Sequence, residues 1–194
     1  TASFQYLISQ NQAVTIWVIK KPIGTVRIMK RRSFGLGLLA LLAIPGCSSK
    51  FKRYNGPEVT SVVVNKSSGQ MYLLHHTEIL KAYDIDLGFA PAGPKQFEGD
   101  GKTPEGTYLI DKRNPNSKFH LSVGISYPNA EDIAYAQSQG KSPGGDIFIH
   151  GEPNKNRKLA KRKNWTAGCI AVKNREIEQI YAMVRDGTVI TIRA

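Results

Sequence analysis

The chain has 194 residues, with 27 lysines and arginines against 15 aspartates and glutamates, which gives a formal net charge of +12. This length allows one domain with a single core and excludes an assembly of several large domains. The sequence holds no internal repeat and no low-complexity segment, which excludes a repeat architecture.

The N-terminal 46 residues predict export. The chain opens on Thr1, and we interpret residues 1–28 as an upstream extension of the reading frame, with a disordered arm as the alternative. Residues 29–46 read as a signal peptide that begins at Met29 with basic residues. Its apolar stretch, Phe34 to Ile44, is about half as long as the roughly 20 residues of a membrane-spanning helix.

Cys47 follows the signal in Ile44-Pro45-Gly46-Cys47-Ser48, which resembles a lipoprotein signal box. On this interpretation Cys47 is acylated and anchors the protein to the membrane. Cleavage of an ordinary secretory signal is the alternative, and Arg31-Arg32-Ser33-Phe34 also resembles a twin-arginine export signal. All three readings predict a periplasmic or cell-envelope protein, for which nucleic acid is not a partner.

Export changes the charge of the mature chain. Residues 1–46 hold six basic residues and no acidic ones, so their removal lowers the net charge from +12 to +6. Six of the remaining basic residues lie between Lys155 and Lys163. This basic loop is either a solvated loop or a contact for an anionic polymer of the envelope, and it supplies our candidate substrate-binding residues, Lys158, Lys161 and Arg162.

The mature chain predicts many short strands and few helices. Residues 47–58 predict a tether, and residues 89–106 a long loop rich in Gly and Pro, of the kind that often carries function. Helices are predicted from Ala130 to Gln139 and from an N-cap at Asn174 to a stop at Gly187. Apolar and β-branched runs predict strands at Val59–Val64, Gln70–Leu74, Ile79–Leu87, Thr107–Asp111, Phe119–Ser126, Asp146–His150, Cys169–Val172 and Thr188–Ile192.

This series of elements predicts a mainly β fold for residues 59–194, a single sandwich or partly open barrel with one or two short helices. The same region would form one domain.

Cys169 and His150 are the candidate catalytic residues. If the chain is exported, Cys169 is the only thiol on its folded part. An unpaired thiol in an oxidising compartment indicates a functional role. A histidine within reach would supply a base for a thiolate nucleophile. Taken singly, a cysteine on an apolar strand is more often a buried small residue, and a lone histidine more often structural.

His150-Gly151, followed by Thr166-Ala167-Gly168-Cys169-Ile170, resembles the signature of the L,D-transpeptidase catalytic domain family, also called YkuD-like. The resemblance extends from about Val59 to Ile192. It implies a β-rich fold, peptidoglycan stem peptides as substrate and no cofactor. It also implies Cys169 as nucleophile and His150 as base, oriented by the Gly151 carbonyl. The N–H groups of Gly168 and Cys169 would hold the oxyanion, with Thr166 lining the pocket.

The implied reaction begins with attack of the Cys169 thiolate on the diamino acid carbonyl of a stem tetrapeptide, which expels the terminal D-Ala. The thioester would pass to an amine of another stem, to an amine of an envelope protein, or to water. Two departures leave the acceptor open, because many members have His at the position of Ala167 and Arg at that of Ala171. The basic loop could replace that arginine.

Two alternatives remain: a hydrolase on the same scaffold, as an L,D-carboxypeptidase or amidase, and a non-catalytic lipoprotein that binds peptidoglycan. No metal site is expected, because Cys169 and His150 are only two ligands and no Cys-x-x-Cys or His-x-x-x-His pattern adds more. We predict His75 and His76 at the surface and His120 in a structural role.

Overall fold

The computed structural model describes residues 49–194. The predicted upstream extension, the predicted signal peptide and Cys47, the predicted site of lipidation, lie outside the described residues. None of the helices between residues 49 and 194 has the length and apolar character that crossing a membrane requires.

Within residues 49–194, eight strands form one curled, half-barrel sheet in the order β3-β2-β1-β8-β4-β5-β6-β7, accompanied by two α-helices and one 3₁₀ turn. The predicted mainly β fold is therefore confirmed, in its partly open barrel form. The elements are β1 Ser61–Asn65, β2 Gln70–His75, β3 Glu78–Asp84, β4 Gly106–Asn114, β5 Ser122–Ile125, α1 Ala130–Ser138, β6 Phe148–His150, the 3₁₀ turn Leu159–Lys161, β7 Ile170–Ala171, α2 Asn174–Met183 and β8 Val189–Arg193.

The last strand lies at the centre of the sheet. β8 pairs in parallel with β1, with Ile190 opposite Val62, and antiparallel with β4, with Ile190 opposite Tyr108. Its alternating pattern buries Ile190 and Ile192 in the core, as the period of two predicts for a strand with one core face. β8 thus joins the N-terminal hairpin strands to the strands that carry the candidate catalytic residues.

The two edges of the sheet also meet. The segment after β3 forms isolated bridges to the region of β7, between Asp86 and Ala171 and between Gly88 and Thr166. This segment was predicted as the end of a strand reaching Leu87, but β3 stops at Asp84 and the next residues pair with the other edge. The pairing fixes the backbone on both sides of Cys169.

Several predicted boundaries were wrong for local reasons. The strand predicted from Phe119 begins only at Ser122, because His120 has a left-handed backbone with φ of 69°. Asp146, with φ of 54°, likewise shortens the next predicted strand to Phe148–His150. The strand predicted as Cys169–Val172 is reduced to Ile170–Ala171.

The C-terminal helix also differs at both ends. Its N-cap is Lys173 and not Asn174, because the Asn174 side-chain oxygen accepts the Glu152 backbone N–H at 2.9 Å. The helix ends at Met183, several residues before the predicted stop at Gly187, since Val184 already has an extended backbone.

The described part of the predicted tether contacts the domain. Residues 49–60 have no regular secondary structure, yet Lys50 Nζ donates to the Pro115 carbonyl at 2.6 Å. Lys52 pairs with Glu178 on α2 at 3.3 Å, and Tyr54 packs against the core. These contacts attach the segment to the surface near α2.

Two buried lysines hold the Gly/Pro-rich loop between β3 and β4. Lys66, at the end of the first hairpin strand, donates to the carbonyls of Gly93 at 2.6 Å and Thr103 at 3.0 Å and to Glu105 Oε1 at 2.7 Å. A buried cation is tolerated when each of its donors is paired, as here. Lys66 therefore ties both ends of this loop to the sheet.

The second buried lysine, Lys95, lies within the loop. It donates to the Phe97 carbonyl at 2.8 Å and to Asp100 Oδ1 at 2.9 Å. Burial alone would raise the pKa of Asp100, but the backbone N–H groups of Gln96, Phe97 and Lys102 and the Lys95 ammonium hold that pKa below its usual value. The Asp100 carboxylate thus organises the tip of the loop.

We predict that Lys66→Met lowers the free energy of unfolding by about 3 kcal/mol, because it leaves Glu105 and two carbonyls without their buried partner. Urea denaturation measures the change. Lys81→Met, at an exposed position of β3, is the matched control and should change stability by less than about 0.5 kcal/mol. Equal stability of the two variants would contradict the role assigned to Lys66.

Candidate active site

The turn before β7 is fixed by the Thr166 hydroxyl. This hydroxyl donates to the Cys169 carbonyl at 2.6 Å and accepts the Gly168 backbone N–H at 3.1 Å. Gly168 has φ of 138°, and a Cβ there would lie only 2.7 Å from the Lys102 carbonyl oxygen. The turn therefore needs both residues, and it presents Cys169 in one orientation.

The thiol of Cys169 is half-buried and faces the start of β6. Its Sγ donates to the Asp146 carbonyl at 3.5 Å, and the left-handed backbone of Asp146 directs that carbonyl toward it. Burial raises the pKa of the Cys169 thiol, the Phe148 backbone N–H lowers it, the Asp146 carboxylate raises it again and Lys95 lowers it. The pKa is raised on balance, so the resting group is a neutral thiol.

His150 is enclosed and oriented. Its Nδ1 lies 2.7 Å from the Gly151 carbonyl oxygen, which can only accept, so the ring proton is on Nδ1 and Nε2 is the free basic nitrogen. Phe119 stacks on the imidazole with ring centroids 4.3 Å apart, and Trp165 meets it edge-on at 5.5 Å. Burial lowers the pKa of His150 to about 4, although the bond to Gly151 acts in the opposite direction.

Gly151 is constrained from several sides. A Cβ at this position would lie 2.6 Å from Asn174 Oδ1 and 2.9 Å from both Ile177 Cγ2 and the Phe119 carbonyl oxygen. Its own N–H donates to the carbonyls of Phe119 at 3.0 Å and Leu121 at 3.3 Å. No side chain fits here without displacing α2 or the segment before β5.

Cys169 and His150 line the same open pocket of about 500 Å³. A neutral thiol and a neutral imidazole with a free Nε2 are the components of nucleophilic catalysis assisted by a general base. The other lining residues combine amide, hydroxyl, aromatic and charged groups: Asn114, Asn116, Ser117, Lys118, Phe119, Ser122, Asp146 and Phe148.

The other predicted site residues lie elsewhere. Thr166 and Gly168 are buried and do not line the pocket, and the Gly168 N–H is already paired with the Thr166 hydroxyl. The Cys169 N–H, by contrast, has no hydrogen-bond acceptor within residues 49–194. Of the two N–H groups expected to hold an oxyanion, only that of Cys169 is available in this arrangement.

The basic loop does not line the pocket. Lys158, Lys161 and Arg162 are exposed, and the cationic side chain that does line it, among the residues described, is that of Lys118. A substrate-binding role for the three loop residues stays a prediction.

Four residues around the candidate site were not predicted from the sequence: Phe119, Trp165, Asp146 and Lys118. Trp165 directly precedes Thr166, and Gly144-Gly145 before Asp146 signals a turn, but neither pattern indicates contact with His150 or Cys169.

The other histidines lie outside the pocket. His120 pairs with Glu178 at 2.9 Å, and His75 contacts the Glu58 carbonyl at 2.8 Å. Within the described range, no group of three or more His, Cys, Asp or Glu side chains is placed to hold a metal ion.

The fold and this pocket define a β-sheet domain that presents a cysteine and a histidine together. A model of the L,D-transpeptidase catalytic domain, YkuD, matches residues 60–192, and the chain belongs to this family.

Two relatives illustrate the similarity. The Escherichia coli K12 protein named "Putative L,D-transpeptidase YafK" is 30% identical over 109 residues, which cover 55% of this chain and 38% of that protein. The crystal structure of the helical cell shape determining protein Pgp2 from Campylobacter jejuni is 27% identical with a TM-score of 0.54, over 72% of this chain and 49% of that one. The chain thus spans less than half the length of both relatives.

The lowered pKa of His150 predicts a pH-dependent stability. Between about pH 6.5 and pH 4 the unfolded histidine binds a proton that the folded one rejects, so its contribution is present above pH 6.5 and lost as the pH falls toward 4. Relative to His150→Gln, the wild-type protein should lose about 2–3 kcal/mol between pH 7 and about pH 4.5. Urea denaturation of both proteins at each pH tests this, and a constant difference between them would contradict it.

The Asp146 carboxylate contributes to the raised pKa of Cys169, so Asp146→Asn should make the thiol more reactive. Asparagine also tolerates the left-handed backbone. We expect alkylation by iodoacetamide near neutral pH to become about twofold faster, because more thiolate is present. Asp186→Asn, an exposed carboxylate remote from the pocket lining, is the control. An unchanged or slower rate in Asp146→Asn would refute the electrostatic effect.

Proposed function

We propose that this protein is a peptidoglycan-modifying cysteine acyltransferase of the L,D-transpeptidase type, with Cys169 as nucleophile and His150 as base. The observation that carries the proposal is the shared pocket, in which a thiol lies with a neutral imidazole whose Nδ1 is committed to the Gly151 carbonyl. Membership of the family supplies the substrate class, the stem peptides of peptidoglycan.

The resting neutral pair implies that the thiol proton moves only when substrate is bound. His150 Nε2 takes that proton as Sγ attacks the carbonyl carbon of the diamino acid in a stem tetrapeptide. The Cys169 N–H, which lacks an internal acceptor, donates to the oxyanion that develops. His150 then returns the proton to the leaving D-Ala amine, and the acyl group remains on Cys169 as a thioester.

Gly151, Thr166 and Gly168 support these two residues. The Gly151 carbonyl fixes the tautomer of His150. The Thr166 hydroxyl and the Gly168 backbone hold the turn that presents Cys169, so we assign Gly168 to the geometry of the turn and the oxyanion contact to the Cys169 N–H.

The thioester is then transferred to an amine, of a second stem or of an envelope protein, or to water. Hydrolysis is the second candidate function, because the pocket is open to solvent and Cys169 is only half-buried, which gives water access to the thioester. The small side chains Ala167 and Ala171 provide no charge to clamp an acceptor carboxylate.

The substrate sets the location. Peptidoglycan lies in the cell envelope, so we place this protein there after export, with Cys47 as the proposed lipid anchor. The exposed residues Lys158, Lys161 and Arg162 are proposed to contact the anionic polymer outside the pocket. The cell-shape role in the name of the Campylobacter jejuni relative supports a wall-modifying activity.

Incubation of the purified protein with tetrapeptide muropeptides, followed by mass spectrometry, tests the proposal. We expect loss of D-Ala together with cross-linked dimers, no product from Cys169→Ala, and at least a 100-fold lower rate from His150→Ala. A carbapenem should add its mass to the wild-type protein and not to Cys169→Ala.

Each alternative gives a different result. Shortened stems without dimers would identify the hydrolase. A non-catalytic binding protein would bind sacculi equally well as wild type and as Cys169→Ala. It would form neither product nor carbapenem adduct. Equal activity of Cys169→Ala and wild type would overturn the assignment of the site.

A further inference from the structure

A second pocket lies next to the candidate active site. Lys118 and Phe119 line the pocket of Cys169 and also a neighbouring one of about 420 Å³. We call this second pocket the lysine groove; it is formed by Lys118, Phe119, Pro153, Asn154, Lys155 and Asn156. Lys118 and Phe119 are common to both linings, so the groove lies directly beside the pocket of Cys169.

The lysine groove carries unneutralised positive charge. Neither Lys118 nor Lys155 forms an ion pair within residues 49–194, and no acidic residue lines the groove. The carboxylate that lines the adjoining pocket, that of Asp146, already has Lys112 at 3.8 Å. Two unpaired ammonium groups beside an aromatic and a proline suit a peptide that carries carboxylates.

The two lysines stand on segments that are fastened together. Asn154 joins them with three hydrogen bonds: its backbone N–H donates to the Lys118 carbonyl at 3.0 Å, its Nδ2 to the Ser117 carbonyl at 3.0 Å, and its Oδ1 accepts the His120 N–H at 3.1 Å. Lys155 follows Asn154 directly. The spacing of the backbone under the two cations is thus set before any ligand arrives, which lowers the entropic cost of binding.

We propose that the lysine groove binds the carboxylates of the acyl-donor peptide. Lys118 contacts the C-terminal carboxylate of the residue that leaves, and Lys155 contacts a second acidic group of the same peptide. Lys118 takes the carboxylate beside the scissile bond because it is the lysine that also lines the pocket of Cys169. The identity of the peptide rests on the proposed function, whereas the charge and shape of the groove do not.

A cycle of protein and ligand changes tests this assignment. The full chain carrying Cys169→Ala is titrated by NMR with a synthetic stem tetrapeptide and with the same peptide bearing a C-terminal carboxamide. Adding Lys118→Gln should weaken binding of the carboxylate peptide about fivefold and leave that of the carboxamide peptide within about twofold. Lys155→Gln should weaken both peptides about equally, by about threefold.

The charge-matched controls are Lys81→Gln and Arg175→Gln, exposed positions that line neither pocket, and they should alter neither affinity. Three results would overturn the proposed contact. Lys118→Gln could weaken the affinity for both peptides equally, it could weaken neither affinity, or the parent protein could bind neither peptide.

The groove and the proposed function can fail separately. If the protein with Cys169 intact forms product but Lys118→Gln has no selective effect, the groove assignment is overturned and the proposed reaction stands. If Lys118→Gln has the selective effect but no product forms, the proposed reaction is overturned and the groove assignment stands.

Discussion

The hydrogen bond from His150 Nδ1–H to the Gly151 carbonyl is the contact on which the candidate site depends. Gly151 is held through its N–H by the carbonyls before β5, and Asn174 at the start of α2 closes off the space that a side chain would need. The orientation of the His150 imidazole therefore depends on how β5, β6 and α2 pack together. A shift in any of these elements would move the free nitrogen of His150 within the pocket that Cys169 also lines.

Burial acts on both members of the proposed pair in the direction of neutrality. It raises the pKa of the Cys169 thiol and lowers that of His150, so the two groups do not rest as a thiolate–imidazolium pair. In an oxidising compartment a protonated thiol is the safer resting form, because thiolates are the species that oxidise and exchange. Phe119 and Trp165 pack around His150, so the packing of the site contributes to keeping the proposed pair neutral.

The parts that follow from local pattern were predictable from the sequence. Alternation and β-branched runs located all eight strands, and the glycine-flanked cysteine and histidine marked the pocket. Contacts between distant segments were not predictable. The sequence predicts Asn174 as a helix cap, but its side-chain oxygen accepts the Glu152 backbone N–H instead. Lys66 and Lys95 look like surface residues, yet each is buried against carbonyls and a carboxylate that only the folded loop brings near. The stacking of Phe119 on His150 joins residues 31 positions apart.

The central position of β8 has a consequence for the order of folding. The strand that joins β1 to β4 lies more than 120 residues after the first and about 80 after the second, so the sheet has few local pairings across its middle. Contacts of such long range form slowly, because the loop between them must close first. Until Val189–Arg193 is available, β1 and β4 lack the strand that lies between them, so the sheet cannot be completed before the last residues are synthesised.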